Sequence, residues 1–142
     1  MVSVYAVYNV LTPGFAAKTR ENANRVDLNR NFPDQYRASE GELQRETQNI
    51  IQWLEKSRGK FAISANFHGG DLVVNYPFDG FRNDQRSGDN KSPDNDVFIS
   101  ISRAYASPNP TMTRFDRGIT NGAKWYPLYG GMQDVSSSPS AS

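Results

Sequence analysis

The chain has 142 residues, 37% hydrophobic and 12% aromatic, which is enough for one globular domain with a proper core. Its 16 basic and 15 acidic side chains leave a net charge of +1, which argues against a dedicated nucleic-acid binder or a binder of acidic membranes. No apolar run nears the roughly 18 residues of a membrane span, no signal peptide is visible at the start, and the absence of cysteine excludes a disulfide framework and a thiolate metal site.

In chain order, residues 2–10 alternate loosely and predict a strand, broken by Thr12-Pro13-Gly14. Residues 17–38 are polar, rich in Asn and Arg and without helical period, and read mainly as loop. A helix is predicted over 39–59. Ser39 and Glu42 form a capping box, and Leu43, Ile50, Ile51 and Leu54 share one face with Thr47 between them. Lys56 and Arg58 suit the negative end of its dipole, and Gly59 suits its cap. Residues 61–67 then alternate, with Phe61, Ile63, Ala65 and Phe67 on one side and Ala62, Ser64, Asn66 and His68 on the other. This predicts a strand with His68 at its carboxyl end, where open α/β sheets bind ligands.

Residues 72–76 read as a further short strand, ended by Pro77, and 80–91 as a polar loop. A second helix is predicted from Ser92 as cap and Pro93 at the first helical position. Val97, Phe98, Ile101, Ala104 and Tyr105 form its expected buried face, and Pro108 ends it. Residues 119–134 are rich in glycine and aromatics and predict an ordered loop packed near a site. Residues 135–142 read as a disordered low-complexity tail. The order helix, strand, strand, helix indicates an α/β fold.

Three clusters carry chemistry: "VDLNRNFPD", "NFHGG" followed by "NYPFD", and "GITNGAKWYPLYGGMQD". Each residue in them has an ordinary reading. His68, the only histidine, could simply end a strand; Arg30 could be a solvated loop arginine. Asp79 before Gly80 suits a turn, Gln133 a polar loop, and Tyr126 a packing role. Taken together and in this order, however, the clusters closely resemble the zinc metallocarboxypeptidases, nearest the regulatory subfamily of carboxypeptidases D, E, M and N. The resemblance runs from about Arg20 to Asp134 and covers the middle of the family's catalytic domain.

The resemblance implies a partial mixed β-sheet with flanking helices over residues 1–134. It implies Zn2+ as cofactor, with His68 as one ligand, since a neutral imidazole with a fixed orientation suits zinc. Asn29 and Arg30 would hold the substrate's terminal carboxylate, a guanidinium fork giving two charge-assisted hydrogen bonds. Arg20 would stabilise the oxyanion, with Arg25 a nearby rival. Asp79 and Gln133 would read a C-terminal Lys or Arg side chain. Tyr126 would close over the substrate as donor and acceptor, with Tyr129 as its rival, while Trp125 packs. The implied partners are peptides and proteins ending in Lys or Arg, and the implied location is extracellular or in the secretory pathway.

Two parts of the family's machinery have no counterpart. A His-x-x-Glu pair is absent, because His68 is the only histidine. The catalytic Glu that activates water is not assignable, because the sequence changes abruptly after Asp134 into "VSSSPSAS". The chain is therefore expected to be catalytically incomplete: a truncated product, a splice variant or a faulty gene model of a larger carboxypeptidase. The alternatives are a non-catalytic module that binds peptide C-termini and an unstable remnant.

Overall fold

The computed structural model describes residues 18–38, 41–82, 85, 87–114 and 118–137. The predicted strand at 2–10, the proposed cap Ser39 and residues 138–142 of the predicted tail lie outside them. A one-turn 3-10 helix, Leu28–Arg30, comes first among the described residues. Asp27 caps it, its carboxylate accepting the Asn29 N–H at 3.0 Å, as a short acidic side chain at an N-cap does.

Helix α1 spans Arg45–Lys56, so it starts later than the sequence pattern suggests. The reason is local. The buried Asn31 side chain donates to the Glu42 carbonyl at 3.0 Å and accepts the Gln44 N–H at 2.8 Å. That clamp holds Gln44 extended, with ψ of 153°. Within the helix, Ile50, Ile51 and Leu54 are half-buried around a fully buried Thr47, as the period predicts, while Leu43, also half-buried, precedes the helix. Glu46 in the first turn and Lys56 in the last complement the dipole. The helix ends at Ser57, two residues before the expected Gly59, which adopts φ of +75° in the following turn.

Strand β1, Val74–Tyr76, and strand β2, Ile119–Asn121, form a two-stranded parallel sheet with Val74 opposite Ile119 and Tyr76 opposite Asn121. Between them runs helix α2, Asn95–Ala106, which packs on both; parallel strands need such a crossover. Ala106, Met112 and Ile119 form a small core, with Val74, Tyr76 and Ile99 packed against it. Helix α3, Gly122–Trp125, and helix α4, Met132–Ser137, complete the described chain. The architecture is the expected partial α/β arrangement.

Three details differ from the sequence pattern. Residues 61–67 form no strand: Ile63 and Phe67 are 53% and 80% exposed. Alternation makes a strand only where a neighbour pairs its N–H and C=O groups, and among the described residues no strand pairs with this segment. Helix α2 starts at Asn95 rather than Pro93 and buries a different face. Ser102 and Ala106 are buried, while Val97, Ile101 and Tyr105 are exposed. The small pair lets the helix axis approach the sheet, and the bulkier residues are left on the outer side. Finally, the segment at 119–134 contains β2, α3 and the start of α4 rather than loop throughout, and Val135 continues α4.

Candidate functional site

The 28–34 turn and the 129–132 turn are zipped together. Asn29 Oδ1 accepts the Met132 N–H at 3.1 Å, Asp34 Oδ2 accepts the Gly130 N–H at 3.0 Å, and the Phe32 N–H donates to the Gly130 carbonyl at 3.0 Å. Gly130 sits at φ +70°, and a Cβ there would run into the Arg30 carbonyl. Glycine satisfies both the positive φ and the close backbone approach. Because Asn29 Oδ1 is committed to Met132, its amide is oriented with the NH2 end left as a donor.

Asp79 lies beside the same 129–132 turn. Its side chain is buried, and its Oδ1 accepts from Gln133 Nε2 at 3.0 Å and from Asn75 Nδ2 at 3.3 Å. A Cβ on Gly131 would sit 3.5 Å from Asp79 Oδ2 and 3.8 Å from Asn29 Oδ1. The two side chains thus both border the Gly131 position, with Leu128 nearer still. Gly122 is equally constrained, since a Cβ there would collide with Asp79 Oδ1. Burial, and then the charge of Asp134, push the Asp79 carboxyl up to about 7, while Arg30 pulls it the other way. Arg30 is itself exposed; its Nη1 donates to the Asn29 carbonyl at 2.7 Å and lies 4.0 Å from Asp27 Oδ2.

Arg20 pairs with Asp27 through Nε at 2.6 Å, and that hydrogen bond raises its pKa further above the ordinary guanidinium value. One carboxylate, Asp27, therefore contacts Arg20, the Asn29 N–H and the edge of Arg30. Tyr126 is half exposed, its ring 4.8 Å from that of Trp125, and it lies close enough to contribute to the field at Arg20. Tyr129 is held beneath the Arg37 guanidinium, 3.5 Å from its ring centroid. That cation–π contact occupies the rival tyrosine.

His68 stands apart. It is exposed and makes no hydrogen bond or ion pair among the described residues. No group of three His, Cys, Asp or Glu side chains that could hold a metal exists among them either. A catalytic zinc centre ordinarily has three protein ligands, so the described residues do not fit a complete zinc site.

Sequence reasoning missed Asp27, Asp34, Asn75 and Asp134. Asp27 carried a readable signal, since an acidic residue two before Asn29 can cap the turn. Asn75 lies only four residues before Asp79, in the "NYPFD" motif itself, whereas Asp34 and Asp134 act across 96 and 55 residues, which no local pattern reveals.

The sequence profile of the zinc carboxypeptidases matches residues 7–141. The chain belongs to the zinc carboxypeptidase family. It is 46% identical over 127 residues to carboxypeptidase SOL1 of Arabidopsis thaliana, covering 85% of this chain and 25% of that protein. It is 46% identical over 128 residues to carboxypeptidase M of Mus musculus, covering 81% of this chain and 28% of that protein. With carboxypeptidase D of Homo sapiens the identity is 40% over 134 residues, 83% of this chain and 10% of that protein. The chain thus spans about a quarter of the first two carboxypeptidases and a tenth of the third. The motif-based resemblance to this family stands, and zinc is the metal of the family.

Proposed function

We propose that the chain is the substrate-recognition part of a zinc carboxypeptidase that removes C-terminal Lys or Arg from peptides and proteins. In this reading Asn29 and Arg30 grip the terminal carboxylate, Asp79 with Gln133 reads the basic side chain, and Tyr126 closes over the bound residue. Arg20 steadies negative charge developing on the scissile carbonyl. His68 offers a single zinc ligand, and the rest of the metal site and the general base come from outside the described residues. The full protein acts in the secretory route or outside the cell; among the described residues no helix is long and apolar enough to cross a membrane.

The observation that carries the reading is the approach of Asp79 Oδ2 and Asn29 Oδ1 to the Gly131 position, at 3.5 and 3.8 Å from where a Cβ would stand. A C-terminal Lys or Arg carries both a carboxylate and a cation; Asp79 offers a buried carboxylate to the cation, and Asn29 with the exposed Arg30 offers an amide and a guanidinium to the carboxylate. Charge-assisted hydrogen bonds of this kind contribute about 1.5–3 kcal/mol each. Calorimetry on the 142-residue chain with benzoyl-Gly-Arg, its C-terminal amide and benzoyl-Gly-Leu tests it. Binding should be strongest for the free Arg acid and weaker for the other two. Equal binding of acid and amide would sink the carboxylate grip.

A second reading is favoured by the absence of a three-ligand metal cluster among the described residues: a module that binds peptide C-termini without cleaving them. The same titration followed by product analysis separates the two. Cleavage that appears with added zinc and stops with a chelator removes the binding-only reading.

A further inference from the structure

Asp134 was singled out neither by its motif nor by any role in the recognition reading, yet it is among the most buried charged residues described, at 2% exposure. Its carboxylate accepts the Asp79 backbone N–H with both oxygens, at 2.9 and 3.1 Å, from 55 residues away. The Gly80 N–H and the Gln35 side chain add hydrogen bonds to the same group. On the far side of the Asp79 peptide, its carbonyl accepts the Leu128 N–H at 2.9 Å. Asp79 is thus pinned through its main chain at both ends, while Gln133, adjacent to Asp134, holds its Oδ1.

We infer that Asp134 is the positioning residue for the Asp79 carboxylate: it fixes the Asp79 main chain so that the side chain presents its oxygen to a cationic ligand group beside Asn29. This rests on the recognition reading above. A carboxylate that accepts two N–H groups in a buried setting forms charge-assisted hydrogen bonds, roughly twice as strong as neutral ones. Asp134 also adds a second negative charge next to Asp79 and raises its proton affinity. A cation entering the site therefore meets both charges and relieves their repulsion. The other groups acting on the pair are Arg30 on Asp79, and Asp34 on Asp134. Asp134 makes no contact with the ligand in this scheme and acts through Asp79.

The test is made on the 142-residue chain with benzoyl-Gly-Arg and benzoyl-Gly-Leu as probes, comparing native protein with Asp134→Asn. The variant retains one acceptor oxygen for the Asp79 N–H but loses the charge. The preference for the Arg probe should fall by about tenfold, the equivalent of one well-made contact. The pH midpoint of Arg binding should move down, because a neighbouring negative charge has been removed. A native chain that prefers Arg, with an Asp134→Asn variant that is folded and has an unchanged preference and midpoint, overturns the inference. A native chain with no preference at any pH overturns the recognition reading, and with it the specificity role of Asp134. An unfolded variant is covered by a measurement on the native chain. The Asp79 amide proton in two-dimensional NMR should shift as pH passes about 6, the value for Asp134. An Asp79 amide that ignores that titration overturns the inference without any variant.

Discussion

Asp79 has a carboxyl pushed up to about 7, chiefly by burial. Two consequences follow, with different signs. A cation binds the ionised form, so affinity for an Arg-ended ligand should weaken as pH falls through about 7, and calorimetry at pH 6 and 8 would show it. Stability runs the other way. The folded chain holds a proton that the unfolded chain releases near the ordinary value of 3.8, so the native state binds more protons between these values and loses stability as pH rises through that window. Asp79→Asn should flatten this slope in thermal melts and reduce Arg binding by about ten- to a hundredfold. An unaltered slope in the variant would assign the shift to another group.

At the scale of elements, the buried Asn121 joins three segments. Its Oδ1 accepts the Asn90 N–H at 3.0 Å, and its Nδ2 donates to the Pro77 and Asn90 carbonyls, each at 3.0 Å. Asn121→Ala removes the partner of the buried Pro77 carbonyl and of the Asn90 N–H, while the Asn90 carbonyl keeps the Phe78 N–H; at about 1–3 kcal/mol for a buried group left unsatisfied, it should lower the melting temperature without touching the ligand. Gly130→Ala should do both. Its φ of +70° makes any Cβ unfavourable by about 1–2 kcal/mol, and the clash with the Arg30 carbonyl displaces the carboxylate grip. A Gly130→Ala protein that melts and binds as the native one does would show that the turn relaxes freely.

These elements mark where the sequence could be read. Helix α1 was legible because its apolar period and terminal charges are local. Strand β1 was legible because β-branched residues and Pro77 bound it. The strand expected at 61–67 failed because alternation is necessary for a strand but pairing makes one. The buried face of α2 was misjudged because small residues, not bulky ones, decide how closely a helix approaches a sheet. At the candidate site, Asn29, Arg30, Asp79 and Gln133 were singled out through their motifs; the structure sets Gln133 on Asp79 and Arg30 on Asn29, and both Asp79 and Asn29 beside Gly131. Asp134 reaches Asp79 from 55 residues away, and composition carries no trace of that.

At the scale of the whole molecule, the proposed reading assigns this chain recognition groups and a single histidine. On that reading, with His68 the sole histidine, the pure 142-residue chain is expected to bind benzoyl-Gly-Arg without hydrolysing it, with or without added zinc. Chelator-sensitive release of free arginine would overturn that expectation. The same chain leaves Phe67, Tyr105, Leu72 and Ile63 more than half exposed, with Phe67 and Tyr105 rings 6.3 Å apart.

The zip between the two turns links residues 96 and 103 positions apart in the chain. Joining them closes a loop of nearly the whole described length, and long closures are entropically slow to form. The binding cluster should therefore be among the last features to appear as the chain folds and among the first to open. A peptide bridging Asn29 and Asp79 would act as a latch on that closure. Its presence should slow proteolytic nicking between the two turns in proportion to its occupancy, so that resistance to a protease becomes a direct readout of whether the seam is shut.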